Sequence, residues 1–308
     1  MTKQTRSKAI GRATADLKRP LALIVLFLLP AVLLYLVFFV YPMGQAIRLS
    51  LFRGSAAAER FEYVGSENIA KLLLEDASFW RALWHNVQFI FVGGTATLVL
   101  ALSLAVGLTW CGRGRDFFRI VFLFPNVMSV VAVSILWSFV FNPSFGLLNG
   151  LLRLMRLEQF CRAWLGEPAT ALWAVMLIYV WCATGFYVVL FYAGLLRIPK
   201  DYVEAAQIDG ANFWQQFRHI SLPLLSEILK IAAVYIVINS VNIFSLVFVI
   251  NEGQPSRYND VLLTYLYQQG FQNGNFGYAC AIGVMILITV LVFAVAVNRL
   301  FRQEPVEL

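Results

Sequence analysis

Six stretches of this chain are long and apolar enough to cross a lipid bilayer as helices, and that feature constrains its fold more than any other. They run over residues 21–40, 86–110, 117–141, 169–195, 230–250 and 279–300. A helix rising 1.5 Å per residue needs about 20 apolar residues to cross the hydrocarbon layer. No acidic residue, arginine or histidine stands in the central part of any of the six. Pro30 interrupts the first, which neighbouring helices or a local adjustment accommodate in a membrane. Apolar residues make up 60% of the 308 and charged residues 13%, too skewed a mixture for a water-soluble core to hide. The expected fold class is therefore an all-α integral membrane protein with six transmembrane helices. The first apolar run is longer than the core of a cleaved signal peptide, and the small residues at Ser55 lie too far downstream to be its cleavage site. It reads as a retained signal anchor.

Charge placement gives orientation. The chain carries a net charge of +7, but its cations are scattered between apolar runs and form no patch, which excludes a nucleic-acid partner. The tail at residues 1–20 holds Lys3, Arg6, Lys8, Arg12, Lys18 and Arg19, which predicts a cytoplasmic N-terminus. Six spans return the C-terminus, with Arg299 and Arg302, to the same side. Arg113 and Arg115 fall there too, and so does the loop at 196–225. On this assignment 15 of the 24 Lys and Arg residues lie inside and nine outside. Cys111, Cys161, Cys182 and Cys280 stand at different depths and suggest neither a disulfide framework nor a metal site. His85 and His219 are too far apart to form a local ligand pair.

Within the loop, residues 204–225 read EAAQIDGANFWQQFRHISLPLL. Asp201 stands three residues before Glu204, the spacing of a capping box with Asp as N-cap. Tyr202, Ala205, Ala206 and Ile208 give the following turn one apolar side. Gly210 ends it, because glycine adopts the left-handed conformation that closes many helices. Asn212 and Gln215 repeat the capping spacing, and Phe213, Phe217 and Ile220 share the next face. Pro223 marks a break before the fifth span. The residues alone describe two short amphipathic helices at a bend. They leave open whether these lie on lipid headgroups or dock on a partner, although their polar faces are short of the Lys and Arg that headgroup helices favour.

Glu204-Ala205-Ala206, Gly210, Ile220 and Leu222-Pro223 stand at the spacing of the EAA signature, and here the chain resembles the permeases of ABC importers. The longer pattern, Ile198-Pro199, Asp209-Gly210-Ala211 and Phe217 included, is similar to the carbohydrate-uptake branch typified by maltose-type permeases. Agreement extends along most of the chain: Phe124-Pro125-Asn126, Asn142-Pro143, Phe145-Gly146-Leu147-Leu148-Asn149, Ala193-Gly194-Leu195, Tyr265-Leu266-Tyr267, Phe271 and Phe276-Gly277-Tyr278-Ala279. Ser226-Glu227 departs from it, standing where the family often has a basic residue and proline. The resemblance implies that the loop carries a coupling helix seated in a cleft of a cytoplasmic ATPase, with Glu204, Ala205, Ala206, Asp209, Gly210, Ala211 and Phe217 as coupling residues. It further implies a second homologous permease, two ATPase copies that bind ATP and Mg, an extracytoplasmic sugar-binding protein, and residence in a bacterial inner membrane. No cofactor is expected on this chain. It has no G-x-x-x-x-G-K-[ST] loop, and none of its six lysines follows a glycine.

The function expected is a membrane permease subunit for ATP-driven import of a sugar or oligosaccharide. An ion-coupled secondary transporter of a small neutral solute is the alternative, but it usually needs ionisable groups at the midplane. An enzyme would need a nucleophile with its base, or clustered histidines and carboxylates, and neither is present. A sugar route wants amides, hydroxyls and aromatic plates. Tyr235, Asn239, Asn242 and Ser245 follow one another at steps of four, three and three in the fifth span. Trp181, Thr184 and Tyr187 stand close together in the fourth; they read more readily as packing, with Tyr187 carried as a pathway candidate. For Asn239 and Asn242 the residues leave two readings open: substrate contact, or interhelical hydrogen bonds worth about 0.6 kcal/mol each.

Overall fold

In the computed structural model the described residues are 24–55, 60–254 and 256–300. The basic tail, the first three residues of the first span and the C-terminal segment with Arg302 lie outside them. Five helices are long and apolar enough to cross a membrane, and a bent pair makes a sixth span.

The first span, α1, is Ile24–Leu49 and runs well past residue 40. A π turn at Leu36–Val40 precedes Pro42; widening the ladder there accommodates a residue with no N–H to donate. The loop after α1 then forms a hairpin that the all-helical reading did not anticipate. Strands β1, Phe52–Ser55, and β2, Arg60–Tyr63, pair antiparallel, with Phe52 opposite Tyr63. The hairpin packs where α-helix and strand backbones nearly touch, since a Cβ on Gly277 would overlap the Phe52 carbonyl. Helix α2, Glu67–Leu74, follows.

The second span, α3, is Ala77–Trp110 and begins nine residues before residue 86. Asp76 accounts for the early start. Its Oδ1 accepts the N–H groups of Ser78 (2.9 Å) and Phe79 (3.0 Å), capping the helix outside the apolar run. The third span is not one helix. Helix α4, Arg115–Val127, and α5, Val130–Val140, meet at 95°, because Met128 and Ser129 both take extended backbone. Pro125 removes one ladder donor just before that bend.

On the way to the fourth span lies α6, Leu147–Leu154. The fourth span, α7, is Ala171–Leu195, close to the predicted 169–195 and the most buried of the set. It packs against α3 and α4. In lipid, helices are drawn together by close packing rather than by burial from water, which favours small residues at contacts. Ala101 and Ala105 are fully buried against Tyr187, Val188 and Phe191. Gly185 lies so near α4 that a Cβ would overlap the Phe122 carbonyl, and Gly194 admits Ile228 in the same way.

The loop after α7 carries α8, Lys200–Ile208, and α9, Phe213–Gln216, the latter running on through a π turn at Phe217–Ser221. The fifth span starts at Ser226, four residues before residue 230 and with Glu227 in its first turn. It too is interrupted: α10, Ser226–Val241, gives way at Asn242 and Ile243 to α11, Phe244–Ile250. Asn86 of α3, fully buried, sits at that interruption. Its Nδ2 donates to the Ser240 carbonyl (3.0 Å), and its Oδ1 accepts the Leu262 N–H (2.8 Å) at the start of α12, Leu262–Tyr267. One amide thus ties the broken span to the loop that follows it, with the Tyr179 hydroxyl 3.1 Å from Ser240 Oγ beside it. The sixth span, α13, is Phe276–Leu300.

Candidate functional site

The loop at 196–225, where the coupling residues are expected, is held by local hydrogen bonds. Helix α8 starts after Pro199, not after Asp201. The proline's φ of −59° and ψ of 134° make it the N-cap, so Asp201 falls in the first turn and the expected Asp201–Glu204 capping box does not form. The end of α8 follows the sequence. Gly210 takes φ +80°, the Ala211 N–H reaches the Ala206 carbonyl (2.9 Å), and the Gly210 N–H reaches that of Gln207 (3.0 Å). This pair of bonds is a Schellman ending, which needs a left-handed residue at Gly210. Asp209 is the last residue before it. The second capping box is present in full: Gln215 N–H donates to Asn212 Oδ1 (3.0 Å) and Asn212 N–H to Gln215 Oε1 (2.8 Å).

Aromatic contacts fasten the loop to the bundle. The Phe213 ring meets Trp110, the last residue of α3, edge-on at 4.6 Å and stacks on Phe217 at 6.1 Å. Several other apolar side chains turn outward. Ile208 is 86% and Trp214 72% exposed, and Tyr202 and Ala205 are exposed too. The apolar side expected for the first helix is therefore displayed, with only Ala206 half-buried. Glu204 is exposed and lines a cleft of about 680 Å³ with Lys200, Gln207, Gln216, Phe217 and the ends of α3 and α7.

The fifth-span polar residues also face away from the bundle. Tyr235, Asn239, Asn242 and Ser245 are all exposed, although they do not form the single helical stripe their spacing predicts. Asn242 stands in the interruption and Ser245 beyond it on α11. Tyr187 lies beneath them, 1% exposed, and its hydroxyl accepts a hydrogen bond from Asn239 Nδ2 (3.3 Å). The two share a small recess of about 210 Å³ with Asn126, Ala183, Phe186 and Tyr235, where the Phe186 and Tyr235 rings are 5.9 Å apart. Among the described residues, the side chains of Asn242 and Ser245 make no hydrogen bond, so neither glues helices within this chain. Thr184 bonds back to its own helix at the Val180 carbonyl (2.6 Å). Asn126 was not foreseen as a lining residue; its only signal was an amide directly after Pro125.

At the opposite end the structure builds a polar cluster that no spacing announced. The hydroxyls of Tyr265 and Tyr278 both donate to Asp76 Oδ2 at 2.5 Å. Burial pushes the Asp76 carboxyl up, but these hydroxyls and the N–H groups of Phe79 and Ser78 outweigh it and hold it below the usual carboxylate range. The cluster ties α3, α12 and α13 together at one point and lines a cleft of about 570 Å³.

Known proteins resemble this chain in sequence and in fold. A family described as "Binding-protein-dependent transport system inner membrane component" matches residues 97–303. The chain is 34% identical over 281 residues to the diacetylchitobiose uptake system permease protein NgcF of Streptomyces coelicolor, covering 87% of this chain and 79% of that protein. It is 31% identical over 283 residues to the trehalose/maltose transport system permease protein MalF of Thermococcus litoralis, covering 91% and 94%. Its fold matches a chain of a bacterial ABC transporter involved in the import of the acidic polysaccharide alginate, with a TM-score of 0.78, 24% identity, and 94% and 98% of the two chains covered. The chain belongs to the family of binding-protein-dependent transport system inner membrane components and is an ABC transporter permease subunit.

Proposed function

We propose that this chain forms, with a second homologous permease, the membrane pathway for ATP-driven import of a sugar or oligosaccharide delivered by an extracytoplasmic binding protein. Two copies of a cytoplasmic ATPase bind ATP and Mg and drive it through the loop at 196–225. The chain sits in a bacterial cytoplasmic membrane with both termini inside. Relatives whose names specify diacetylchitobiose and trehalose/maltose support the sugar assignment.

One observation carries the coupling role. The loop is fixed by a Schellman ending, a capping box and the Trp110–Phe213 contact, yet it turns Ile208 and Trp214 outward. A rigid element that displays large apolar side chains suits insertion into a preformed cleft, because little ordering entropy remains to be lost on docking. The pathway role rests on the outward amides and hydroxyls of the fifth span, which a second permease facing them would enclose.

The test is uptake by the chain reconstituted with its co-purifying subunits and binding protein. Sugar uptake that requires ATP, stops with vanadate and persists when ionophores collapse the ion gradients supports the proposal. Uptake that survives vanadate and fails with the ionophores overturns it.

A further inference from the structure

At the end of the bundle opposite the coupling loop, residues 142–170 join the spans α5 and α7, and they are pinned from within. Asn149 of α6, 2% exposed, donates through Nδ2 to the carbonyls of Pro143 (3.2 Å) and Arg162 (3.0 Å). Its Oδ1 accepts the Trp164 indole N–H (2.8 Å). Leu148, Trp164 and Leu165 pack on the core around Phe141 and Leu172.

The side of α6 turned away from Asn149 is not polar. Leu147, Leu151 and Leu154, at i, i+4 and i+7, are exposed, as are Phe145 and Met155; Leu154 is 82% exposed. A helix whose outer face met water would carry polar residues there. This apolar row continues that of a span, for the Phe145 ring lies 6.2 Å from that of Phe139 on the exposed flank of α5. Both ends of the segment are anchored at span ends, so α6 cannot stand far from the bilayer surface.

Its charges are matched to the same surroundings. Arg162 is paired with Glu167 (3.4 Å), but among the described residues Arg153 and Arg156 are in no ion pair. Arg156 occupies a strained position. Helix α6 has a Schellman ending, with Leu157 N–H to the Leu152 carbonyl (2.8 Å) and Arg156 N–H to that of Arg153 (3.0 Å). Arg156 therefore takes φ +58°, where glycine would sit without strain. The fold holds a guanidinium beside the apolar row at a conformational cost.

We infer that α6 is an interfacial helix: its Leu147–Leu151–Leu154 face lies in the lipid headgroup layer, where Arg153 and Arg156 select acidic phospholipids. It accounts for arginines that the inside–outside charge bias leaves on the far side. Interfacial helices of this kind combine a buried apolar face with attraction to anionic headgroups.

The test uses the chain with its co-purifying subunits in nanodiscs, bearing a bimane on Leu151→Cys or Leu154→Cys after its four native cysteines are replaced by serine. Both positions are exposed, so neither label disturbs packing. Brominated lipid should quench the bimane and aqueous iodide should not, and brominated phosphatidylglycerol should quench severalfold more than brominated phosphatidylcholine. Each arginine is worth about a fivefold lipid preference, so Arg153→Gln with Arg156→Gly should bring the two lipids level. Arg156→Gly alone should reduce the preference without lowering the melting temperature, which separates lipid contact from a structural role. Quenching by iodide alone means that the face meets water, and quenching by neither means that a protein subunit covers it; both overturn the proposal. Equal quenching by the two lipids in the unmodified chain overturns the acidic-lipid selection.

Discussion

Two short helices, one at each end of the bundle, end in the same backbone motif with different residues in it. Helix α8 of the loop at 196–225 closes at Gly210, φ +80°, and α6 at the opposite end closes at Arg156, φ +58°. The bond pattern is the same: the residue after the left-handed one reaches back to the carbonyl five residues earlier, Ala211 to Ala206 and Leu157 to Leu152. In the loop the strain-free residue is present, which suits the force-transmitting role proposed for it. At the far end the side chain has been kept in place of conformational ease. The geometry alone does not distinguish the two helices. What each displays does: Tyr202 and Ile208 beside Glu204 in one, leucines beside two arginines in the other.

The largest expected effect is at Glu204. Removing one member of a desolvated charge pair can cost about 2–5 kcal/mol, and Gln keeps the side chain's size and helix propensity. Because Glu204 caps nothing in α8, Glu204→Gln should leave insertion and assembly intact while binding-protein-stimulated ATP hydrolysis falls at least about tenfold. Hydrolysis at the unmodified rate would remove this carboxylate from the coupling interface.

Substitutions at the two left-handed positions should have opposite signs. Gly210→Ala forces a Cβ into that region and should cost about 1–2 kcal/mol, seen as lower coupled uptake with the chain still inserted. Arg156→Gly should relieve about 1 kcal/mol, read as a higher melting temperature. A melting temperature that falls in both would show that the Arg156 side chain contributes more to folding than its backbone costs.

A smaller effect belongs to the second cap. Asn212→Ala removes the acceptor for the Gln215 N–H and should cost about 1 kcal/mol. Asn212→Asp should restore most of it, since the carboxylate accepts the same bond. Amide exchange at Gln215 checks both, and equal protection in the Ala variant would mean that Trp110 and Phe213 alone hold the loop.

The parts that could be read from the sequence were those fixed by near neighbours. Gly210 and the Asn212–Gln215 pair each depend on residues within a few positions, and both behave as their spacing implied. The Asp201 cap failed for a local reason: Pro199 already had the dihedral angles of an N-cap and took the position. The two interruptions, at Met128–Ser129 and Asn242–Ile243, could not be read from apolar content, because hydropathy is blind to a bend. Contacts distant in sequence hold them, with Gly185 against the Phe122 backbone and Asn86 on the Ser240 carbonyl. The β1–β2 hairpin and the Asp76–Tyr265–Tyr278 cluster were hidden for the same reason, as was the recess that Asn126 shares with Tyr187 and Asn239. The exposure of the fifth-span amides was equally invisible, since the same spacing would serve to glue helices.

The central claim is a division of labour: the loop at 196–225 transmits the work of ATP, and the fifth-span face meets the sugar. The direct measurement is the ratio of uptake of two competing sugars, normalised to assembled complex, in Glu204→Gln and Asn239→Ala. Among the described residues the Asn239 side chain makes one hydrogen bond, to Tyr187, so its loss should cost only about 0.6 kcal/mol of packing and leave assembly and basal hydrolysis unchanged. The account predicts that Asn239→Ala shifts the ratio, while Glu204→Gln lowers both rates alike and leaves the ratio as it was. A ratio unmoved by Asn239→Ala, Asn242→Ala and the double variant, or one moved by Glu204→Gln, would contradict it.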